Sequence, residues 1–329
     1  MSQPPLYSVL GAGVAGLCLA TALAERGARV EVIAPDPFAA SASWLAGGML
    51  APYCEGESAP EAVVISGKAA LTWWAARAAS FTPRGTLVLA PARDACELDR
   101  FARATSLHDA GAHRWVDPAT LEPDLAGRFA RGLFYADEAH LDPRAALEGL
   151  RDALLRRGVR FHAGPPQGRI LDCRGIAARD QQPDLRPVRG EMLIVHAPEV
   201  TLSRPVRLLH PRFPCYIVPR GAGAYMIGAT MVESGRSGPI TARAVMELLS
   251  AAYTLHPAFA EAEVVETGAG LRPAYADNIP AYRLGPEGSV SLNGMYRHGF
   301  LMAPSLAEAL AERLLGTSQT PALQEVASC

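Results

Sequence analysis

The sequence contains no long run of lysine or arginine, no C-x-x-C pair and no cysteines and histidines at metal-ligand spacing. Phosphate backbones are gripped by concentrated positive charge, so nucleic acid is not an expected partner of a chain whose formal net charge is -2. The six cysteines (Cys18, Cys54, Cys96, Cys173, Cys215 and Cys329) are scattered. This argues against a disulfide framework and against a zinc site. With no secretory signal read at the start, the expectation is a reduced, cytoplasmic protein without a metal. Internal repeats and low-complexity linkers are missing as well. Charged residues are scarce, at 19% against 49% hydrophobic ones, which excludes a disordered chain and supplies a sizeable core. A length of 329 residues suits two packed domains better than one small core.

One stretch lacks charge altogether. From Tyr7 to Ala24 the run approaches the length of a membrane span, yet Gly11, Gly13 and Gly16 interrupt it and Glu25 and Arg26 close it. A buried strand and helix are expected, and no membrane. Tyr7 to Leu10 reads as the strand, Gly11-Ala12-Gly13-Val14-Ala15-Gly16 as the G-x-G-x-x-G turn, and Leu17, Ala20, Leu23 and Ala24 as the apolar side of a helix ended by Gly27. Arg29 to Ile33 is the second strand. The first glycine permits the tight turn, the second lets the backbone approach a diphosphate, and the third lets helix pack on strand. The diphosphate then sits at the positive end of the helix dipole. An acidic residue should close the second strand to hold the ribose, but Ala34 stands there and Asp36 lies two residues on. Either Asp36 reaches back or the ribose is held in another way.

Farther along, Ser41 to Pro52 combines small residues, Gly47-Gly48 and Trp44, which suits backbone lying against a flat ligand or an ordinary glycine-rich loop. A helix from Lys68 to Ala79 carries Trp73 and Trp74 as core residues. Strands and loops run from Gly85 to about Tyr135. Asp142 caps a helix with Pro143 in its first turn and Ala146, Leu147, Leu150 and Leu154 on its apolar face. Strands are expected at 159–162, 170–175, 191–196, 216–219, 225–229 and 263–268, and helices at 241–253 and 303–315, the last with Pro304 in its first turn. Helical and sheet-rich parts alternate. The expected architecture is therefore α/β, a Rossmann-like cofactor domain (1–80, 137–190 and 265–329) interleaved with a substrate domain on a mostly antiparallel sheet (81–136 and 191–264). Composition and spacing by themselves support an FAD- or NAD-binding α/β enzyme.

Several motifs in one order narrow this further: S-W-x-A-G-G-M-L-A-P at Ser43 to Pro52, R-P-V-R-G-E at Arg186 to Glu191, C-Y-I-V-P-R at Cys215 to Arg220, G-A-T-M at Gly228 to Met231, G-L-R-P at Gly270 to Pro273 and Y-R-H-G-F-L-M-A-P at Tyr296 to Pro304. Together they resemble the D-amino-acid oxidase superfamily, and within it the glycine oxidases of thiamine biosynthesis. The resemblance implies FAD as cofactor and a small amino acid as substrate. It further implies O2 as acceptor giving H2O2, transfer of the imine to a thiazole synthase, and a homo-oligomer. It places Arg272 on the substrate carboxylate, Tyr216 and Met231 in the substrate pocket with Tyr216 donating a hydrogen bond, and Arg297 near flavin and substrate. Ser43, Trp44, Ala46, Gly47, Gly48 and Met49 would lie along the isoalloxazine. The segment from Asn293 to Leu301, with Tyr296, Arg297, His298, Gly299, Phe300 and Leu301, would close over its pyrimidine edge, and the helix near Ala303 would aim its positive end at the flavin. Read without the resemblance, Arg272 is as readily an ion-pairing residue and Tyr216 a core residue. His298 and Glu191 read as structural. The alternatives are a dehydrogenase with a quinone or carrier acceptor and a flavin-binding partner protein without turnover. Only Ala163 to Arg169 stands where the family has a longer β-meander.

Overall fold

The computed structural model describes residues 5–34, 41–210, 215–285 and 288–316. Asp36, the first candidate for the ribose contact, lies outside them. A six-stranded sheet runs in the order Ala281–Leu284, Val290–Asn293, Arg169–Asp172, Leu6–Leu10, Arg29–Ile33 and Arg160–His162. Every neighbouring pair is parallel except the hairpin of the first two. Parallel strands require crossovers, and the helices that supply them cover the sheet. The Val14–Glu25 helix is buried from Val14 through Leu23 because it lies between the sheet and the Pro143–Arg156 and Gly299–Leu315 helices. Asp142 caps the Pro143 helix as expected, accepting from the amides of Arg144 at 2.8 Å and Ala145 at 3.2 Å.

The short connection after His162 crosses the face of two strands with residues 163–168 alone. Its polar backbone cannot lie on an apolar sheet face without partners. Glu31 and Ser8 provide them. The Gln167 amide donates to Glu31 Oε1 at 2.8 Å, the Gly168 amide to Ser8 Oγ at 2.8 Å, and Ser8 Oγ to Glu31 at 2.7 Å. Arg160 pairs with the fully buried Glu31 at 2.9 Å, and His162 adds a contact at 3.1 Å.

The second sheet has nine strands, in the order Val232–Glu233, Arg186–His196, Ala224–Gly228, Cys215–Gly221, Val206–Leu208, Thr86–Leu89, Gly132–Tyr135 and Arg114–Val116, with Glu263–Ala274 also paired to Arg186–His196. All pairs are antiparallel except Val206–Leu208 with Thr86–Leu89. Both long strands extend past their expected ends and run through the expected domain boundaries at 190 and 265. Gly268, Gly270 and Arg272 have little β-preference of their own, and each is held in strand by the facing ladder. Strand alternation sorts the two faces. Leu87, Leu89, Leu193, Val195, Ile217 and Ile227 pack on Leu248, Ala251, Ala252 and Leu255 of the Ala242–Leu255 helix. In register on the opposite face stand Val88, Arg207, Tyr216, Gly228, Met192 and Gly268.

The Ala303–Leu315 helix starts four residues earlier than expected, at Gly299, so Pro304 lies in its interior. Proline has no N–H to offer the carbonyl four residues back. Trp74 Nε1 takes over, donating to the Phe300 carbonyl at 2.8 Å. The helix carrying Trp74 runs from Glu61 to Ala75 rather than from Lys68 to Ala79, with Pro60 at its N-cap. Among the described residues no helix is long and apolar enough to cross a membrane.

Candidate functional site

The glycine turn is as tight as its spacing implies. Gly11 has φ +99°, and a Cβ there would lie 2.7 Å from the Cys173 carbonyl oxygen on the neighbouring strand's end. A Cβ on Gly16 would come within 2.0 Å of the Gly11 oxygen, so the third glycine sets how closely helix meets strand. Gly13 differs. Its missing side chain faces only the hydroxyls of Ser43 and Ser41, at 3.3 and 3.6 Å, in front of the helix N-terminus. The Val14 amide, one of the unpaired donors of the first turn, points the same way and donates to Ser43 Oγ at 3.1 Å. Ala12, Val14 and Ala15 are buried beneath. A donor-lined mouth that a side chain at position 13 would fill fits a dinucleotide's diphosphate. The Ala34 amide donates to the His162 carbonyl at 3.0 Å, closing the second strand without an acidic group.

The loop from Ser43 to Met49 is clamped by two arginines. Arg144 Nε donates to the Trp44 carbonyl at 3.2 Å while its two Nη atoms fork onto Glu266 at 2.8 and 2.6 Å. Arg220 donates to the carbonyls of Ala46, Gly47 and Leu141 at 3.1, 3.0 and 3.0 Å. Burial lowers the Arg220 pKa to about 10, which leaves it charged at neutral pH. Gly48, at φ +72°, packs against the Leu141 carbonyl, where a Cβ would lie only 2.1 Å away. Leu45 lies over Gly268 and Gly270. The sequence reading missed both clamps. Arg220 stands inside the quoted C-Y-I-V-P-R motif, whereas Arg144 shows no signal beyond its place in a helix.

Beneath this loop the glycines of the second sheet make room for side chains. The Tyr216 ring lies between Gly47 and Gly228, whose added Cβ atoms would approach Cε2 to 2.5 and 3.1 Å. Burial raises the Tyr216 pKa, against the positive charge of Arg272, so the hydroxyl stays protonated. Arg272 donates to the Thr230 carbonyl at 3.0 Å, and its guanidinium covers Gly190, where a Cβ would lie 2.3 Å from Nη2. Among the described residues no carboxylate lies within ion-pair distance of Arg272. Gly190, inside R-P-V-R-G-E, is thus a site residue that the motif contained and the sequence reading left without a role. Glu191 is structural as expected: it binds Arg189 at 3.0 Å, the Thr230 hydroxyl at 3.0 Å and the Thr241 amide at 2.9 Å.

The Tyr296 segment approaches from the other side. Its amide donates to the Pro273 carbonyl at 2.7 Å, next in chain to Arg272, and its φ is +45°. The Tyr296 hydroxyl and Arg297 Nη1 both reach Met231 Sδ, at 3.5 and 3.9 Å. Arg297 is ion-paired, with Nε 2.9 Å from Glu55 Oε2, and it donates to Ser58 Oγ at 2.8 Å. Burial would raise the Glu55 pKa, but the charges of Arg297 and Arg207 hold it below the ordinary carboxylate value. His298 lies 3.3 Å from Glu55 and is kept neutral, its pKa pushed down to about 4 by burial and by Arg297 against the pull of Glu55. Gly299 opens the last helix where a Cβ would lie 3.1 Å from Val14 Cγ1, so the two helix starts converge. Phe300 and Leu301 turn their side chains into the core beside Trp74 and Gly67. The structure therefore brings Gly13, Val14, Ser43, Gly47, Tyr216, Met231, Arg272, Tyr296 and Arg297 around one region.

Residues 7–313 match the sequence model of a family described as FAD dependent oxidoreductase. The chain belongs to this family. Its FAD dependence accords with the glycine cradle at the start of the Val14–Glu25 helix. Within the wider set, a Rhizobium etli protein named, by inference, as the thiamine biosynthesis oxidoreductase ThiO is 54% identical over 325 residues, covering 95% of this chain and 97% of that protein. The bifunctional protein ThiO/ThiG of Trichormus variabilis is 26% identical over 96% of this chain, which spans 53% of it. Among solved structures, the glycine oxidase of Geobacillus kaustophilus superposes with a TM-score of 0.80 at 23% identity, over 97% of this chain and 100% of that one. This likeness establishes the shared α/β fold, with its Rossmann-like sheet and its second, mostly antiparallel sheet.

Proposed function

We propose that this FAD-dependent oxidoreductase oxidises glycine, or an amino acid as small, to its imine. The observation that carries the reading is Arg272: a partly buried guanidinium without a carboxylate partner among the described residues, seated on Gly190 and felt at the Tyr216 hydroxyl. A guanidinium forks onto a carboxylate through two parallel hydrogen bonds, which fixes both position and rotation of the substrate. Tyr216, wedged between two glycines, donates a third. Met231, in contact with Tyr296 and Arg297, borders the space beside Arg272. Gly11 to Gly16, with Ser43, would hold the FAD diphosphate, and Ser43 to Met49 with Tyr296 to Gly299 would border its ring system. FAD held there would supply the acceptor for the hydride from the α-carbon, with O2 as the terminal acceptor giving H2O2. Alignment of the α-carbon supplies much of the rate. No side chain here is required as a base when the amine binds neutral.

Relatives in which a ThiO part is fused to a ThiG part support delivery of the imine to a thiazole synthase. Five free cysteines among the described residues agree with a cytoplasmic setting. The test is an anaerobic visible spectrum before and after glycine. Bleached flavin bands are the expected outcome. Bands that persist with glycine, sarcosine and D-alanine alike overturn the reading.

A further inference from the structure

Two arginines flank the Thr230–Met231 segment of chain, and they differ in what lies beside them. Consecutive residues touch both: the Thr230 carbonyl accepts from Arg272 at 3.0 Å, and Met231 Sδ lies 3.9 Å from Arg297. The Pro273–Tyr296 hydrogen bond of 2.7 Å joins the two chain segments at the residues adjoining each arginine. Arg297 is matched by Glu55 at 2.9 Å, and Arg207 lies 3.7 Å from Glu57 and 4.0 Å from Glu55. His298 is uncharged at neutral pH. Arg272 alone of these cations has no carboxylate within ion-pair distance among the described residues. Glu55 itself is set in place by the Pro52–Glu55 turn of helix, directly after the clamped flavin loop.

We propose that Glu55 is a specificity-determining residue: by neutralising Arg297 it limits the site to amines bearing a single carboxylate. This rests on the amino-acid reading of the Arg272 site. A second carboxylate on the substrate meets the Glu55 carboxylate and an arginine whose charge Glu55 already neutralises at 2.9 Å. Like charges brought together in a partly desolvated pocket discriminate strongly, and a guanidinium already neutralised has little net charge to offer a second anion. Removing the charge at position 55 frees Arg297 for a dicarboxylic amine, for which iminodiacetate is the probe: glycine with a second carboxymethyl arm on its nitrogen.

The experiment compares FAD-loaded wild type, Glu55→Gln and the double variant Glu55→Gln/Arg297→Gln. Anaerobic flavin bleaching gives kcat/KM for glycine and for iminodiacetate, and calorimetry gives the Kd of malonate, a dicarboxylate with no amine to oxidise. In Glu55→Gln the iminodiacetate-to-glycine ratio rises at least ten-fold and malonate binds at least ten-fold tighter. Both gains vanish in the double variant. A ratio and a malonate Kd within two-fold of wild type overturn the proposal, as does a gain that survives loss of Arg297. If the Gln variant does not fold, Glu55→Ala is read by the same criteria. A wild type inert to glycine, sarcosine and D-alanine instead overturns the amino-acid reading, and this inference with it.

Discussion

Arg272 and Arg297 carry the same group, yet one is held by backbone alone and the other by a carboxylate 2.9 Å away. For Arg272→Ala the bidentate contact to a substrate carboxylate is lost, and breaking a desolvated charge pair costs about 3–5 kcal/mol. Catalytic efficiency for glycine should therefore fall by roughly 10²–10⁴-fold, at about 1.4 kcal/mol per decade. Steady-state kinetics on protein that still holds FAD checks it, and unchanged efficiency removes Arg272 from the carboxylate role. Both arginines were singled out by their motifs. Glu55 was not, because a glutamate in Pro52-Tyr53-Cys54-Glu55 has no local pattern to mark it and meets Arg297 only through the fold. The same holds for Arg144: its partners Trp44 and Glu266 are 100 and 122 residues away in the chain.

Pro304 shows how an element escapes its local rule. A proline in a helix normally marks the first turn, and the sequence pattern placed it there. The helix begins five residues before it because Trp74, from another helix, donates to the carbonyl that Pro304 leaves without a partner. Trp74→Phe keeps most of the ring and removes the donor. The buried Phe300 carbonyl is then unpaired, at a cost of about 1–3 kcal/mol. A lower denaturant midpoint with an unchanged m-value is the expected result. A midpoint equal to wild type would show that the carbonyl has another partner. The extent of the Arg186–His196 and Glu263–Ala274 strands escaped in the same manner, since Gly190, Gly268 and Gly270 are weak strand formers that pair only because each faces the other ladder.

At the scale of the whole molecule, two sheets meet through polar groups buried between them. Glu138 is one: its Oε1 accepts from the Cys54 amide at 2.8 Å, and its carbonyl accepts from the Gly85 amide at 2.9 Å where the second sheet begins. Burial raises its pKa from 4.5 to about 7, against the Thr86 hydroxyl, the Cys54 amide and Arg207. Between those values the folded chain binds more protons than the unfolded one, so this group makes stability fall as pH rises from 4.5 to 7. In Glu138→Gln that decline is absent. The variant should melt several degrees above wild type at pH 8, with the advantage shrinking as pH falls to 4.5. Melting curves across this range decide it, and a pH-independent difference would mean that Glu138 is ionised in the folded protein.

Much of the molecule could be read locally. The glycine turn, its flanking strands, the Asp142 cap and the period-two strands depend on backbone sterics, capping and alternation, all of which act between residues close in sequence. The family motifs likewise marked Arg272, Tyr216, Met231 and Arg297. Only the tertiary structure decided that Gly190, Gly47 and Gly228 are vacant of side chains to admit Arg272 and Tyr216, that Arg144 and Arg220 clamp the Ser43–Met49 loop, and that Glu31 and Ser8 carry the six-residue crossover at 163–168. Those contacts join residues far apart in the chain. Their strength comes from burial and from charge brought close, and neither exists until the two sheets have come together.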